Sequence, residues 1–154
     1  MSNYDNAISI MTERFSKDVL IALATTDGKH LHNRIVDAYY DAGAFYISTY
    51  TLSNKMVQIE KNSEVAVCAV DWFSGHGIGK NLGWVLDPKN ATIREKIREA
   101  FVWYDEVNNE QDENCCFLEI RLTDGMLIKD HHAVRYQIDF ENKSALLSEN
   151  WGEW

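Results

Sequence analysis

The sequence contains few of the residues that mark several large classes of protein. Its 154 residues include only one proline and three cysteines. Two of the cysteines are the neighbours Cys115 and Cys116, so they do not form a disulfide framework, and an odd number suits a reducing compartment. There is also no linker, repeat or low-complexity tract. We therefore expect one domain, residues 1–154, located in the cytoplasm.

Basic residues and long apolar runs are also scarce. The chain has 15 Lys and Arg against 24 Asp and Glu, a net charge of −9. Nucleic acids and anionic membranes attract basic surfaces, so neither is an expected partner. The longest apolar run, near residues 19–24, is far shorter than a membrane span of about 20 residues. The first residues have neither the basic nor the apolar part of an export signal.

The apolar residues that are present predict mainly antiparallel strands. Residues 5–16 have a helical spacing, and apolar runs at 19–26, 30–40 and 44–49 are joined by turns at 27–29 and 41–43. Further along we predict a helix from Ser53 to about Lys61 and another after Asp87-Pro88. The remaining predicted strands are at 64–72, 115–122, 126–129 and 134–140, together with one that ends near Leu86. Turns at 123–125 and 141–143 and a solvated acidic loop at 105–114 complete a β-rich α+β barrel.

The best candidate site lies between Arg34 and Lys55. Strand alternation places Arg34 on the same face as the small apolar residues Val36 and Ala38. Ser53 begins a helix whose first turn contains Lys55, and a helix start attracts anions. Two cations and a helix start predict a phosphate site. The alternative is an exposed lysine and an arginine that pairs with Asp37 or another nearby acid.

Other motifs predict chemistry less well. Gly75, Gly77, Gly79 and Lys80 are spaced like a phosphate loop but fail the Walker pattern, and we interpret them as a bend at a barrel corner. The pairs His30/His32 and His131/His132 have no cysteine or acid at a motif-like spacing, so no metal site is predicted.

Four segments together resemble the pyridoxamine 5′-phosphate oxidase-like flavoproteins. They are ALATTDG at 22–28, NRIV at 33–36, FYIST at 45–49 and SNKMVQI at 53–59. This family includes general stress protein 26-like and nitroimidazole-resistance proteins. The resemblance covers residues 5–140 in element order and implies the FMN-binding split-barrel fold, with a few helices flanking a mainly antiparallel barrel.

The resemblance also implies a cofactor, a partner and a set of contacts. The cofactor is FMN, bound at the interface of a homodimer, with part of each site coming from the partner chain. Arg34 corresponds to the arginine that contacts the flavin phosphate. The other implied cofactor contacts are Ile35 and Val36 beside the ribityl chain and ring, Ser48 and Thr49 at a strand end, and Ser53, Asn54 and Lys55 around the phosphate.

Two departures narrow the implied function. Tyr39 stands where the vitamin B6 oxidases have a lysine, and the last residues lack their segment with arginine and tryptophan. We therefore expect an FMN-dependent oxidoreductase that acts on a substrate other than pyridoxamine phosphate, with a small-molecule electron donor and acceptor. The alternative is a flavin- or phosphate-binding module that senses or buffers without catalysis. The sequence does not separate FMN from a deazaflavin or haem.

Overall fold

Eight strands and four α-helices make up the part of the chain that the structure, a computed structural model, describes, residues 1–130 and 134–149. The strands are β1 Val19–Thr26, β2 Leu31–Asp41, β3 Ala44–Tyr50, β4 Glu64–Ala69, β5 Phe73–Trp84, β6 Cys115–Ile128, β7 Arg135–Asp139 and β8 Ser144–Ser148. The helices are α1 Asn3–Phe15, α2 Asn54–Lys61, α3 Ala91–Ala100 and α4 Tyr104–Val107.

Six strands close into an antiparallel barrel. They follow the order β3-β2-β1-β4-β5-β6, and β3 closes the ring by pairing with β6. The long strand β6 makes this possible, because its first half pairs with β3 while its end, from Asp124 to Ile128, pairs with β7. Strands β7 and β8 thus extend the sheet away from the ring. The prediction of an α+β, mainly antiparallel split barrel with flanking helices is confirmed.

Aromatic rings fill the barrel and close one of its sides. Phe15, at the end of α1, lies with its ring centroid 5.9 Å from that of Phe45 and 6.2 Å from that of Phe73. Helix α1 begins in a capping box between Ser2 and Asp5, which satisfies two backbone donors that the first turn leaves open. The helix therefore acts as a well-anchored cover of the core.

A second apolar cluster lies on the outside of β3 and β6, under α3 and α4. Its buried residues are Ala44, Tyr46, Val85, Ile97, Phe101, Tyr104, Cys115 and Phe117. Arg94 of α3 donates to Glu110 through Nε and Nη2, at 2.6 and 2.7 Å. The predicted solvated loop at 105–114 is therefore only partly correct, because α4 overlaps its start and this bidentate pair fixes its middle.

The predicted turn at 123–125 is wrong, and the bend predicted at 74–79 is not a break before a strand but lies within one, where the register shifts between His76 and Gly77. The segments 74–79 and 123–125 lie inside β5 and β6, where Gly75 is the partner of Gly125. A Cβ on Gly75 would lie 2.5 Å from the carbonyl oxygen of Asp124 and 2.9 Å from the ring of Phe73. The glycines therefore let the ring of Phe73 cross two strands at close range, a role that glycine has in sheets as well as in turns. A third correction is that the predicted strand 64–72 ends at Ala69.

Candidate functional site

Strand β2 places Arg34 at one end of the barrel, facing inward. Arg34 is the register partner of Leu23 on β1, and it shares its face with Val36 and with the fully buried Ala38. Ile35, on the opposite face, is 63% exposed. The alternation that the sequence predicts for this strand is therefore confirmed, and a charged side chain enters an otherwise apolar interior.

The guanidinium of Arg34 is held by uncharged groups. Its Nη1 donates to the carbonyl oxygen of Leu23 at 3.1 Å and to the hydroxyl of Thr25 at 2.7 Å. No carboxylate within 4.0 Å pairs with it among residues 1–130 and 134–149. The alternative that Arg34 pairs with Asp37 or another acid is thus wrong. Burial lowers the pKa of Arg34, since desolvation disfavours its charged form.

Lys55 brings a second cation to the same place. It lies in the first turn of α2 and is half-buried rather than exposed. Burial lowers the pKa of Lys55, and the charge of Arg34 lowers it further, while Cys116 has the opposite effect. Within the described residues Lys55 has no ion pair. Two partly desolvated cations that repel each other favour an anionic ligand, because such groups are costly without a partner.

Ser53 adds an unsatisfied donor at the start of the same helix. It occupies the N-cap position with an extended backbone, but its side chain makes no capping hydrogen bond. The Oγ atom is buried and has no hydrogen-bond partner within the described part of the chain. Buried hydroxyls are nearly always bonded in native proteins, so an orphaned one beside two cations fits a ligand with acceptor oxygens.

The other predicted contacts are divided between the two faces of the strands. Thr49, the register partner of Cys116, lies on the inward side of β3, as Val36 does on β2. Ser48 faces the other side, where its hydroxyl donates to Oδ1 of Asn108 at 3.0 Å. Ile35 also faces outward, and Asn54 is exposed at the first position of α2. The structure therefore brings Arg34, Ser53 and Lys55 together and sets Ser48 and Ile35 apart from them.

Sequence reasoning missed two residues of this site, Thr25 and Gln58. Thr25 is 2% exposed and lies at an inward position of β1, in line with the buried Ile21 and Leu23. Its hydroxyl donates to Oε1 of Gln58 on α2 at 2.5 Å. The available signal was the pattern of β1 itself, in which a polar residue occupies an inward position otherwise filled by apolar ones.

The histidines and tryptophans contribute less to this site. His32 Nε2 lies 3.0 Å from Oδ2 of Asp27, and residues 1–130 and 134–149 contain no group of three or more potential ligands placed to hold a metal. His131, His132, Trp151 and Trp154 lie outside the described residues. Other aromatic residues lie elsewhere: Phe73 is in the core, Trp84 and Trp103 hydrogen-bond to Glu110 and Asp18, and Trp72 is exposed in the turn after β4.

Comparison with solved structures places the barrel among known folds. No family model matches the sequence, and no curated protein matches it. General Stress Protein 26 from Bacillus anthracis str. Sterne superposes with a TM-score of 0.61 at 16% identity, with 78% of this chain and 89% of that chain covered. A FAD-binding protein from Mesorhizobium loti gives 0.57 at 12% identity, covering 76% and 90%. A heme binding protein from Mycobacterium smegmatis gives 0.68 at 12% identity, covering 93% of this chain and 60% of its own length.

These similarities define the class of fold. The chain is an α+β protein built on a split β-barrel. More particularly, the barrel has the same fold as a putative pyridoxamine 5′-phosphate oxidase from Listeria innocua, which superposes with a TM-score of 0.61 at 15% identity, covering 82% of this chain and 98% of that chain. Among the described residues, no helix is both long and apolar enough to cross a membrane.

Proposed function

We propose that the protein is an FMN-binding oxidoreductase whose phosphate site is formed by Arg34, Ser53 and Lys55. The observation that carries the proposal is the pair of half-buried cations, Arg34 and Lys55, that no carboxylate of the described residues neutralises. A phosphate monoester supplies the missing charge, and its oxygens accept from donors such as the orphaned hydroxyl of Ser53. Similar barrels in a FAD-binding and a heme binding protein support a cofactor at this fold.

Each residue has a distinct task in this proposal. Arg34 binds two phosphate oxygens through its planar guanidinium, and Lys55 adds a compact positive charge. The first turn of α2 contributes backbone N–H groups that have no partner inside the helix. Thr49 and Val36 face the same interior and line the path from the phosphate. The flavin supplies the electron transfer, so the protein's part is binding, orientation and control of the surroundings.

We also propose that two chains form the working unit, with cofactor contacts from both. The outer face of the barrel carries apolar side chains that are poorly covered, notably Leu20, Leu31 and Ile35, and Val70 beyond β4 is 88% exposed. Clustered exposed apolar residues of this kind mark protein interfaces. Sedimentation equilibrium should give twice the 17.8 kDa mass of one chain. A single-chain mass at micromolar concentration contradicts the dimer but not the phosphate site.

The substrate class follows from what the site does not offer. Tyr39, at the position where the vitamin B6 oxidases have a lysine, faces the second apolar cluster and packs against it. It therefore gives no cation for a substrate phosphate, and a small-molecule electron donor and acceptor other than pyridoxamine phosphate are proposed.

The visible absorption spectrum tests cofactor binding. Purified protein incubated with excess FMN and then desalted should be yellow and retain flavin absorbance. Protein that stays colourless, without any change in flavin fluorescence on mixing, contradicts the proposal. For turnover, the bound flavin is reduced anaerobically with NADH or NADPH and then exposed to a test acceptor. Reduction followed by reoxidation supports an oxidoreductase, whereas a flavin that neither donor reduces favours a sensing or buffering module.

A further inference from the structure

Arg34 is tied to the barrel by only one of its terminal nitrogens. Nη1 has two hydrogens, and its two acceptors are the Leu23 carbonyl and the Thr25 hydroxyl, at 3.1 and 2.7 Å. A guanidinium has five N–H donors, so three remain, on Nη2 and Nε. The described residues show no partner for these three. Together they have the geometry of the fork with which arginine binds two oxygens of one phosphate.

The hydroxyl of Thr25 has its own proton committed elsewhere. A hydroxyl has one proton and two lone pairs. Because Thr25 accepts from Arg34, it gives its proton to Oε1 of Gln58, 2.5 Å away. Thr25 is 2% exposed, so water does not compete for either bond. The chain Arg34–Thr25–Gln58 therefore has a fixed direction and links β2, β1 and α2.

This chain of bonds joins the two halves of the phosphate site. Arg34 comes from β2, whereas Ser53 and Lys55 come from the start of α2, the helix that also carries Gln58. Gln58 is three residues after Lys55 and thus lies on the same side of the helix. Without the link, a long cation repelled by Lys55 has other rotamers available.

We propose that Thr25 and Gln58 are positioning residues, which hold Arg34 by Nη1 so that its Nε–Nη2 edge binds the phosphate of FMN. The proposal deepens the proposed function and rests on it. Neither residue touches the phosphate in this account. Both act through Arg34, and their effect is therefore specific to ligands that carry the phosphate.

Substitutions at Thr25 separate positioning from a merely structural role. Thr25→Val keeps the shape and removes the hydroxyl, Thr25→Ser keeps the hydroxyl, and Thr26→Val is the matched control on the neighbouring position. We expect Thr25→Val to weaken FMN binding about tenfold, since a charge-assisted hydrogen bond is lost. Riboflavin, which lacks the phosphate, should bind as to the wild type. Thr25→Ser should restore FMN affinity, and Thr26→Val should leave it unchanged.

Substitutions at Gln58 test the positioning of Arg34 independently of Thr25. Gln58→Met removes the acceptor at similar volume and should weaken FMN binding several-fold. Gln58→Glu keeps an acceptor but adds a negative charge beside the phosphate, so its loss should be larger than that of Gln58→Met. Riboflavin binding should again be unaffected. A Gln58→Glu variant that binds FMN as well as the wild type contradicts the placement of Gln58 beside the site.

A ligand-free measurement distinguishes this proposal from the proposed function. The guanidinium ¹⁵N–¹H signals of Arg34, assigned by their loss in Arg34→Lys, should show Nη1 and Nη2 as separate resonances in the wild type. They should merge in Thr25→Val and separate again in Thr25→Ser. Merged signals in the wild type, or equal losses of FMN and riboflavin affinity in Thr25→Val, overturn the proposal. Wild-type protein that binds no FMN but shows separate signals contradicts the proposed function and leaves the positioning of Arg34 intact.

Discussion

Lys55 and Arg34 repel each other across the end of the barrel. The charge of Arg34 adds to burial in lowering the pKa of Lys55, and neither cation has a carboxylate partner among residues 1–130 and 134–149. The chain has a net charge of −9, yet these two cations have no acidic partner among the described residues. Their arrangement favours an anionic ligand and destabilises the ligand-free protein.

This repulsion predicts that Lys55 lowers the stability of the ligand-free protein and strengthens the binding of FMN. Lys55→Met removes a half-buried cation at little change in volume, so the ligand-free protein should gain about 1 kcal/mol in its free energy of unfolding, a figure reduced for the partial exposure of the group. The same variant should bind FMN at least tenfold more weakly, because a charge on the phosphate is lost. Urea unfolding and fluorescence titration measure the two effects.

Lys61→Met is the matched control for that prediction. Lys61 is exposed and lies in the last turn of the same helix, so it should change neither quantity. If Lys55→Met lowers the stability of the ligand-free protein, the two cations are not in conflict and the argument for an anion site fails.

The lowered pKa of Lys55 sets the pH dependence of binding. The neutral amine binds phosphate poorly, so FMN affinity should fall as the pH rises through the folded-state pKa, which lies below the ordinary lysine value of 10.5. The decline begins at the lowered pKa of the ligand-free protein and ends at the higher pKa that Lys55 has when phosphate is bound. Lys55→Arg should move the decline to higher pH. Titrations at several alkaline pH values check this, and a flat profile with unchanged protein fold contradicts it.

The same group contributes to stability with a defined sign. Because the pKa of Lys55 is lowered in the folded state, the folded chain binds fewer protons than the unfolded chain between that pKa and 10.5. The destabilising effect of Lys55 therefore diminishes as the pH rises through this window.

Asp37 predicts a second pH effect, away from the site. Burial and the adjoining Asp18 raise the pKa of Asp37 to about 6. The folded chain then holds an extra proton between about 3.8 and 6, so stability falls as the pH rises through this range. Asp37→Asn should stabilise the protein by about 1 kcal/mol at pH 7.5, discounted for exposure, and by almost nothing at pH 3.5. Equal effects at both pH values, measured by urea unfolding, contradict a raised pKa.

Gly75 predicts an over-packing effect in the sheet. A Cβ at this position would lie 2.5 Å from a backbone oxygen of β6, and backbone cannot move aside as a flexible side chain can. Gly75→Ala should therefore destabilise the protein by about 1–3 kcal/mol. Ser74→Ala, at the exposed neighbouring position, should change stability by less than about 0.5 kcal/mol. Thermal unfolding of both variants decides the matter, and equal midpoints contradict the close approach.

The barrel was predictable because short-range patterns specify it. Alternation on β2 placed Arg34 inward, and the glycines of the first two hairpins marked true turns, with Gly28 and Gly43 both at positive φ. Gly75 and Gly125 were wrongly taken as signs of a bend and a turn, because glycine permits close strand packing as well as turns. Their role depends on the pairing of Gly75 with Gly125 and on the ring of Phe73 that lies against Gly125, and these contacts between β5 and β6 are in no local pattern.

The charged residues of the site were predictable from the sequence, whereas the residues that hold Arg34 in place were not. Arg34 is visible in the sequence as a cation on the apolar face of a strand, and Lys55 as a cation in the first turn of a helix. The bonds from Thr25 to Arg34 and Gln58 join residues 9 and 33 positions apart, and they exist only once the barrel has closed. Ser48 was predicted to contact the cofactor, but its hydroxyl bonds Asn108 instead. That contact depends on a segment 60 positions further along the chain.

The most direct test of the central claim is the ratio of the dissociation constants of riboflavin and FMN for the wild type and for the double variant Arg34→Ala/Lys55→Ala. If the two cations bind the phosphate, the wild type should prefer FMN by at least about a hundredfold, since two charge-assisted contacts are made. The double variant should bind the two flavins nearly equally. A wild type that binds FMN no better than riboflavin, or a double variant that keeps the full preference, contradicts the account.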